Sequence, residues 1–128
     1  MTQLCICQSG KLHVKCCAPL LTGQRFAKTA VQLMRSRYSA FALGGYGEYL
    51  LNTWSPSQHQ AMTAAELSII STKWIGLEIV SKAQKGDQAT VEFKAYFLDG
   101  KGEQGLHHER SRFERLNGRW LYLTGEVF

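Results

Sequence analysis

Residues 107–124 read His107-His108-Glu109-Arg110-Ser111-Arg112-Phe113-Glu114-Arg115-Leu116-Asn117-Gly118-Arg119-Trp120-Leu121-Tyr122-Leu123-Thr124. Asn-Gly is the pair that a two-residue type I′ turn demands, because both central residues must take positive φ. The flanking residues carry aromatic and aliphatic side chains in alternation, so the stretch is a β-hairpin. A two-residue turn sets Phe113 opposite Tyr122, Ser111 opposite Thr124 and Glu109 opposite Glu126. Side chains alternate along a strand, so His107, Glu109, Ser111, Phe113, Trp120, Tyr122 and Thr124 share one face, and Arg110 and Arg112 point the other way. Aromatics near the turn and polar groups farther along suit the wall of a pocket. Two opposed carboxylates repel, so either one is held protonated or the pairing ends before them.

Upstream of this hairpin the chain continues the sheet. Ala89, Val91, Phe93, Ala95 and Phe97 alternate with Thr90, Glu92, Lys94 and Tyr96, the pattern of a half-buried strand. Trp74 to Lys82 is rich in β-formers, and turns fall at Lys85-Gly86-Asp87 and Asp99-Gly100-Lys101-Gly102. Before the strands come helical patterns. Thr29 caps a helix over about 30–43, with Val31, Met34, Tyr38 and Phe41 at helical spacing, and Gly44, Gly45 and Gly47 interrupt it. A shorter pattern with Tyr46, Leu50 and Trp54 stops at Ser55-Pro56. Thr63-Ala64-Ala65-Glu66 is a capping box that opens a third helix through about Thr72. Helices followed by an antiparallel sheet predict an α+β fold, the helices on the concave face of the sheet.

At 128 residues the chain suits one domain and a short appendage. It has no apolar run near the ~20 residues of a membrane span, and its start lacks the pattern of a secretory signal, so a cytoplasmic protein without membrane association is expected. The net charge of +5 is unevenly spread. Lys11, Lys15, Arg25, Lys28, Arg35 and Arg37 precede Glu48 with no acid among them, and the remainder is near neutral. That positive field suits phosphates or acidic surfaces, or is a solvated face.

All four cysteines lie in one window: Cys5, Cys7, Cys16 and Cys17. Two close pairs joined by a turn at Gln8-Ser9-Gly10 supply the four thiolates that Zn²⁺ takes tetrahedrally. His13 lies in the window as an alternative ligand. A disulfide framework is the competing reading, and it needs an oxidising compartment. Four good ligands close the zinc shell, which makes the site structural rather than catalytic. A fragment this small folds on the metal's binding energy.

Cys5-x-Cys7-x-Ser9-Gly10, six residues, then Cys16-Cys17 resembles the SEC-C metal-binding motif, also found at the C-terminus of the SecA translocation motor. Ile6 and Gln8 stand where that motif usually has proline and glycine. Leu33-Met34-Arg35-Ser36-Arg37-Tyr38-Ser39-Ala40-Phe41, Thr53-Trp54, Glu109-Arg110-Ser111-Arg112-Phe113 and Trp120-Leu121-Tyr122 are similar to the YchJ family. The resemblance implies an N-terminal knuckle over 1–20, a linker over 21–28 and an NTF2-like domain over 29–128. Many members carry a second knuckle after that domain, and this sequence ends at Phe128 without one.

No catalytic residues are assigned. His107, His108, Glu109 and Ser111 offer acid, base and hydroxyl groups, yet solvated strand ends explain them as well. Arg35 and Arg37 lie about 200° apart around a helix, so one of them faces inward and needs a carboxylate, with Glu109 the best candidate. With Tyr38, Trp54, His107, Ser111, Phe113, Trp120 and Tyr122 they make a candidate pocket. The tryptophans, Trp74 included, are read as core before ligand stackers, and His59 sits in a polar loop. Three functional readings follow: a docking module whose basic knuckle binds a protein, ribosomal or nucleic-acid partner; a small-molecule or enzymatic site around Glu109 and Ser111; and a body that pairs through its sheet as a homodimer.

Overall fold

A computed structural model describes residues 3–57, 62–70 and 72–128 of the chain. His59 lies outside the described residues. A 3₁₀ turn at His13–Lys15 is followed by helices α1 (Ala18–Leu21), α2 (Ala30–Leu43), α3 (Gly47–Asn52) and α4 (Ala64–Leu67). Four strands come next: β1 (Lys73–Lys85), β2 (Gln88–Leu98), β3 (Gln104–Leu116) and β4 (Arg119–Val127). They form one antiparallel sheet in the order β1-β2-β3-β4. The α+β reading is borne out.

Local chemistry sets the helix ends. The Thr29 hydroxyl accepts from the Gln32 amide, and Gly44 closes α2 at φ 75°. The capping box of Thr63 and Glu66 forms as the sequence predicts. The helix it opens is shorter than the expected run to Thr72. Ser68 turns its hydroxyl back onto the Ala64 carbonyl and also accepts the Gly47 amide, while its own carbonyl accepts the Gly45 amide. Ser68 therefore ties the end of α4 to the start of α3, and the β-branched Ile69 and Ile70 that follow are poor helix formers.

α2 lies across the inner face of the sheet and contacts β1, β2 and β4. The core it closes contains Leu33, Met34, Tyr38, Val91, Phe93, Phe113 and Trp120. On β2 the buried residues are Ala89, Val91, Phe93 and Ala95, as the alternation requires. Asn117 and Gly118 both take positive φ, 52° and 79°, and make the turn between β3 and β4.

The register of that hairpin departs from simple counting. Phe113 faces Tyr122 as expected, but Arg112 faces Thr124, so Leu123 is an extra residue forming a bulge on β4. Ser111 therefore pairs with Gly125 rather than Thr124, and Glu109 with Val127 rather than Glu126. Glu126 falls opposite Arg110, and Thr124 leaves the face where Ser111 and Glu109 lie. The bulge removes the opposed carboxylates. It also sets Gly125 beside Glu109, where a Cβ would collide with the carboxylate and lie 2.8 Å from the Tyr122 hydroxyl.

The cysteine window shares the core of the body. Cys5, Cys7, Cys17, Leu20 and Leu21 are buried in the same cluster as Leu33 and Tyr38. One nitrogen of the Arg35 guanidinium donates to the Cys7 carbonyl at 2.6 Å. On the other side, the Leu77 amide of β1 donates to Gln8 Oε1 at 2.8 Å. Gln8 holds φ 63°, in the left-handed region that suits glycine, and its side chain satisfies an outward amide of the edge strand. Between Leu21 and Ala27 the connecting residues are exposed.

Candidate metal centre and its surroundings

The hairpin that carries the first two cysteines is closed by an isolated bridge between Leu4 and Leu12. Its tip turns through Gln8 and Gly10, both at positive φ. The 3₁₀ turn that follows brings Cys16 and Cys17 back toward Cys5 and Cys7. The four Sγ atoms all lie within 4.8 Å of one another, Cys7 and Cys16 at 3.6 Å. Zn–S bonds of ~2.3 Å in a tetrahedron place sulfurs ~3.8 Å apart, so this spacing fits a four-sulfur ion site. It does not fit disulfides, whose sulfurs are ~2.05 Å apart, and all four cysteines are free.

Around the sulfurs stands a ring of polar side chains. Ser9 Oγ lies 3.1 Å from Cys16 Sγ, and the Ser39 hydroxyl donates to Cys17 at 3.3 Å. His13 Nδ1 is 3.5 Å from Cys5 Sγ, so this histidine stands behind a ligand and outside the four-atom cluster. A hydrogen bond from Cys17 leads the effects that hold Cys7 well below the ordinary thiol range, and the same contact pushes Cys17 up. Burial raises Cys16. Cys7 thus carries charge readily.

Beside the cluster lies a cleft of about 360 Å³ whose walls include Ser9, Cys16 and Cys17. Lys11, Lys15, Arg25, Lys28 and Arg35 line it, five of the six basic residues that precede Glu48. No acidic residue lines it among the described residues. The sixth cation, Arg37, is buried elsewhere.

The candidate pocket residues of the body divide. Arg37, Trp54, His107, Glu109, Ser111, Phe113 and Tyr122 come together on the inner face. The Glu109 carboxylate accepts from the Ser111 hydroxyl at 2.5 Å and from the Tyr122 hydroxyl at 3.1 Å, and His107 Nε2 stands 2.9 Å from its other oxygen. The expected ion pair from Glu109 to Arg35 or Arg37 is not formed among the described residues. Arg35 turns to the Cys7 carbonyl. Arg37 donates to the Leu50 carbonyl and the Thr53 hydroxyl, and its guanidinium lies 4.9 Å from the centre of the Tyr122 ring. Burial lowers the Arg37 pKa to about 10.

Tyr122 stands between the two charges, and burial together with Glu109 raises its hydroxyl pKa far above the usual value. Phe113 and Trp54 pack edge-on against the Tyr122 ring. The backbone of Tyr122 exchanges hydrogen bonds with Thr53 and Ser55. Trp120 is buried and donates to the Lys28 carbonyl, and Tyr38 is buried beside Trp74 at the far end of the face. Sequence reasoning missed Ser39 and Arg35 as partners of the knuckle, and Gln8 as the knuckle's own contact with β1. Ser39 and Arg35 lie a helical turn apart on α2, and that spacing was the available signal.

A family model described as the YchJ middle, NTF2-like domain matches residues 29–125, and a model of the SEC-C motif matches residues 1–19. The chain belongs to the YchJ family. A UPF0225 protein of Photorhabdus laumondii is 42% identical over 98% of this chain and 81% of its own length. The UPF0225 protein YchJ of Shigella dysenteriae is 40% identical over 98% and 84%. Among solved structures, a SEC-C motif containing protein from Rhodopseudomonas palustris superposes with a TM-score of 0.88 at 36% identity, covering 97% of this chain and 98% of that one. One from Psychrobacter arcticus gives 0.83 at 33% identity, covering 98% and 83%. In this YchJ-family chain the four cysteines of the SEC-C motif are the four that can hold a metal ion. No helix among the described residues is long and apolar enough to cross a membrane.

Proposed function

We propose that this YchJ-family chain is a docking module of the cytoplasm. Zn²⁺ holds its knuckle in shape, and the basic cleft beside that knuckle receives a macromolecular partner. The observation that carries the reading is the cleft itself. Five cations line it together with apolar residues, with no acid among the described lining residues, next to a cluster of four sulfurs. Zinc is the metal because four sulfur donors within tetrahedral reach are its preferred set, and a reducing compartment keeps them as thiols. Four thiolates and one Zn²⁺ leave two negative charges, which Arg35 and its neighbours offset in part, and a positive excess still faces outward. The alternative of a small-molecule or enzymatic site around Glu109 and Ser111 has less to rest on. The hydrogen bonds of that carboxylate already go to Ser111, Tyr122 and His107.

Two measurements test the proposal together. Elemental analysis of reduced protein is expected to give close to one zinc per chain, lost in Cys5→Ser or Cys17→Ser. Partners retained from lysate by the immobilised chain are expected to elute with chelator and with moderate salt. Metal-free reduced protein, or retention indifferent to both treatments, would refute the reading.

A further inference from the structure

The cleft also carries information about its occupant. The side-chain heads of Lys11, Lys15, Arg25 and Lys28 make no ion pair or hydrogen bond within the chain among the described residues, whereas Arg35 is engaged with the Cys7 carbonyl. Four solvated cations on flexible stems are thus left to face one opening. Among the aliphatic residues of the cleft, Pro19 and Leu20 are buried and Val31 is half-buried.

What the cleft does present is a flat ring. Phe26 lines it and is 56% exposed, an unusual place for a phenylalanine between Arg25 and Lys28. The Arg119 guanidinium lies 3.9 Å from the ring centroid and covers one face. A purely acidic peptide such as polyglutamate would use the cations and leave the ring idle. A strand with phosphates and unpaired bases uses both, the phosphates on the cations and a base on the aromatic platform.

We propose that the cleft between the knuckle and α2 binds single-stranded nucleic acid, its phosphates held by Lys11, Lys15, Arg25 and Lys28 and one base stacked on Phe26. This inference rests on the docking reading and narrows it to one class of partner.

Fluorescence anisotropy of the zinc-loaded full chain tests it. The probes are a labelled oligouridylate of about ten nucleotides, a DNA strand of the same length, and a duplex, with polyglutamate as competitor. The single strands are expected to bind, and a preference between RNA and DNA names the source. Three or four phosphate contacts give a slope of log affinity against log salt of about −2 to −3. Each of Lys15→Gln and Arg25→Gln reduces that slope by about 0.7, and Phe26→Ala weakens binding about tenfold without changing it. Phe26→Trp retains binding, and Lys82→Gln, on exposed β1, leaves it unchanged.

Each variant is first checked for an unaltered melting temperature. Polyglutamate competing as well as oligouridylate, with no effect of Phe26→Ala, overturns the nucleic-acid inference and leaves docking standing on an acidic protein surface. Duplex bound as tightly as single strand also overturns it. No binding of any probe at low salt removes both.

Discussion

Arg35 Nη1 reaches the Cys7 carbonyl at 2.6 Å and so fastens the cysteine hairpin to the middle of α2. Ser39, one turn further along, touches Cys17 and Cys5. Leu20 and Leu21 complete the attachment by entering the common core.

Removal of residues 1–21 is therefore expected to damage the whole body. It uncovers the knuckle-facing side of α2, and it takes two buried leucines, each worth about 1.5–3 kcal/mol of burial. The truncated chain should lose its cooperative melt and its near-UV circular dichroism. An intact sharp transition would show that the two parts fold independently.

Metal removal should act equally far from its site. An ion bound only by the folded state stabilises the entire fold, by about 2.7 kcal/mol at a hundredfold excess over its dissociation constant. Thermal unfolding followed through the tryptophans, two of them on the sheet, should rise with free zinc and fall with chelator. A melt insensitive to free zinc contradicts the shared core.

The Gln8 turn separates strain from hydrogen bonding. Gln8→Ala keeps a left-handed backbone and loses the bond to the Leu77 amide, whereas Gln8→Gly loses the bond but relieves the backbone. The alanine variant should be the less stable of the two by about 1 kcal/mol in denaturant titration.

Much of this architecture was legible in the sequence because it is local. Thr29 and Gly44 bound α2, Asn117-Gly118 fixes a turn, and cysteine spacing marks the four-sulfur cluster that could hold a metal. The rest depended on contacts distant in sequence. The bulge at Leu123 leaves no mark in the pattern of Leu121 and Leu123, so simple counting carried Thr124 to the wrong face. An ion pair from Glu109 to Arg35 or Arg37 was expected, but Arg35 turns to the Cys7 carbonyl and the ring of Tyr122 stands between Arg37 and the carboxylate. The attachment of the knuckle was hidden because Leu20 and Leu21 belong to a helix of one turn, too short to show periodicity.

The Glu109 carboxylate and Gly125 should behave as one unit. Gly125→Ala forces the carboxylate away from its donors, and a cost of about 1–3 kcal/mol is expected. Glu109→Gln weakens charge-assisted hydrogen bonds and also destabilises. The double variant should lose less than the sum of the two, because the contact is already broken. Additive losses in a double-mutant cycle would show that Gly125 matters for another reason.

Alkaline unfolding should report Tyr122. A tyrosine whose native pKa is raised contributes its stability in full below the unfolded value, near pH 10, and loses it as pH rises toward the native value. Tyr122→Phe loses the bond to Glu109 and is expected to be less stable at pH 7, with the gap to the parent narrowing above about pH 10. Denaturation midpoints at the two pH values check this, and a constant gap would contradict it.

The bulge on β4 also sets how this chain tolerates changes of length. Between Asn117 and Tyr122, a single inserted or deleted residue swings the Tyr122 hydroxyl through the sheet and leaves Arg37 and Glu109 without the group that separates them. Beyond Gly125 the same event moves only exposed residues at the strand's end. Leu123 absorbs one unit of phase between these two stretches, so its deletion would remove the bulge and leave every pairing on either side in place. Were Leu123 instead paired with Arg112, Glu126 would return to a place opposite Glu109 and a threonine would stand opposite Ser111, where Gly125 now lies.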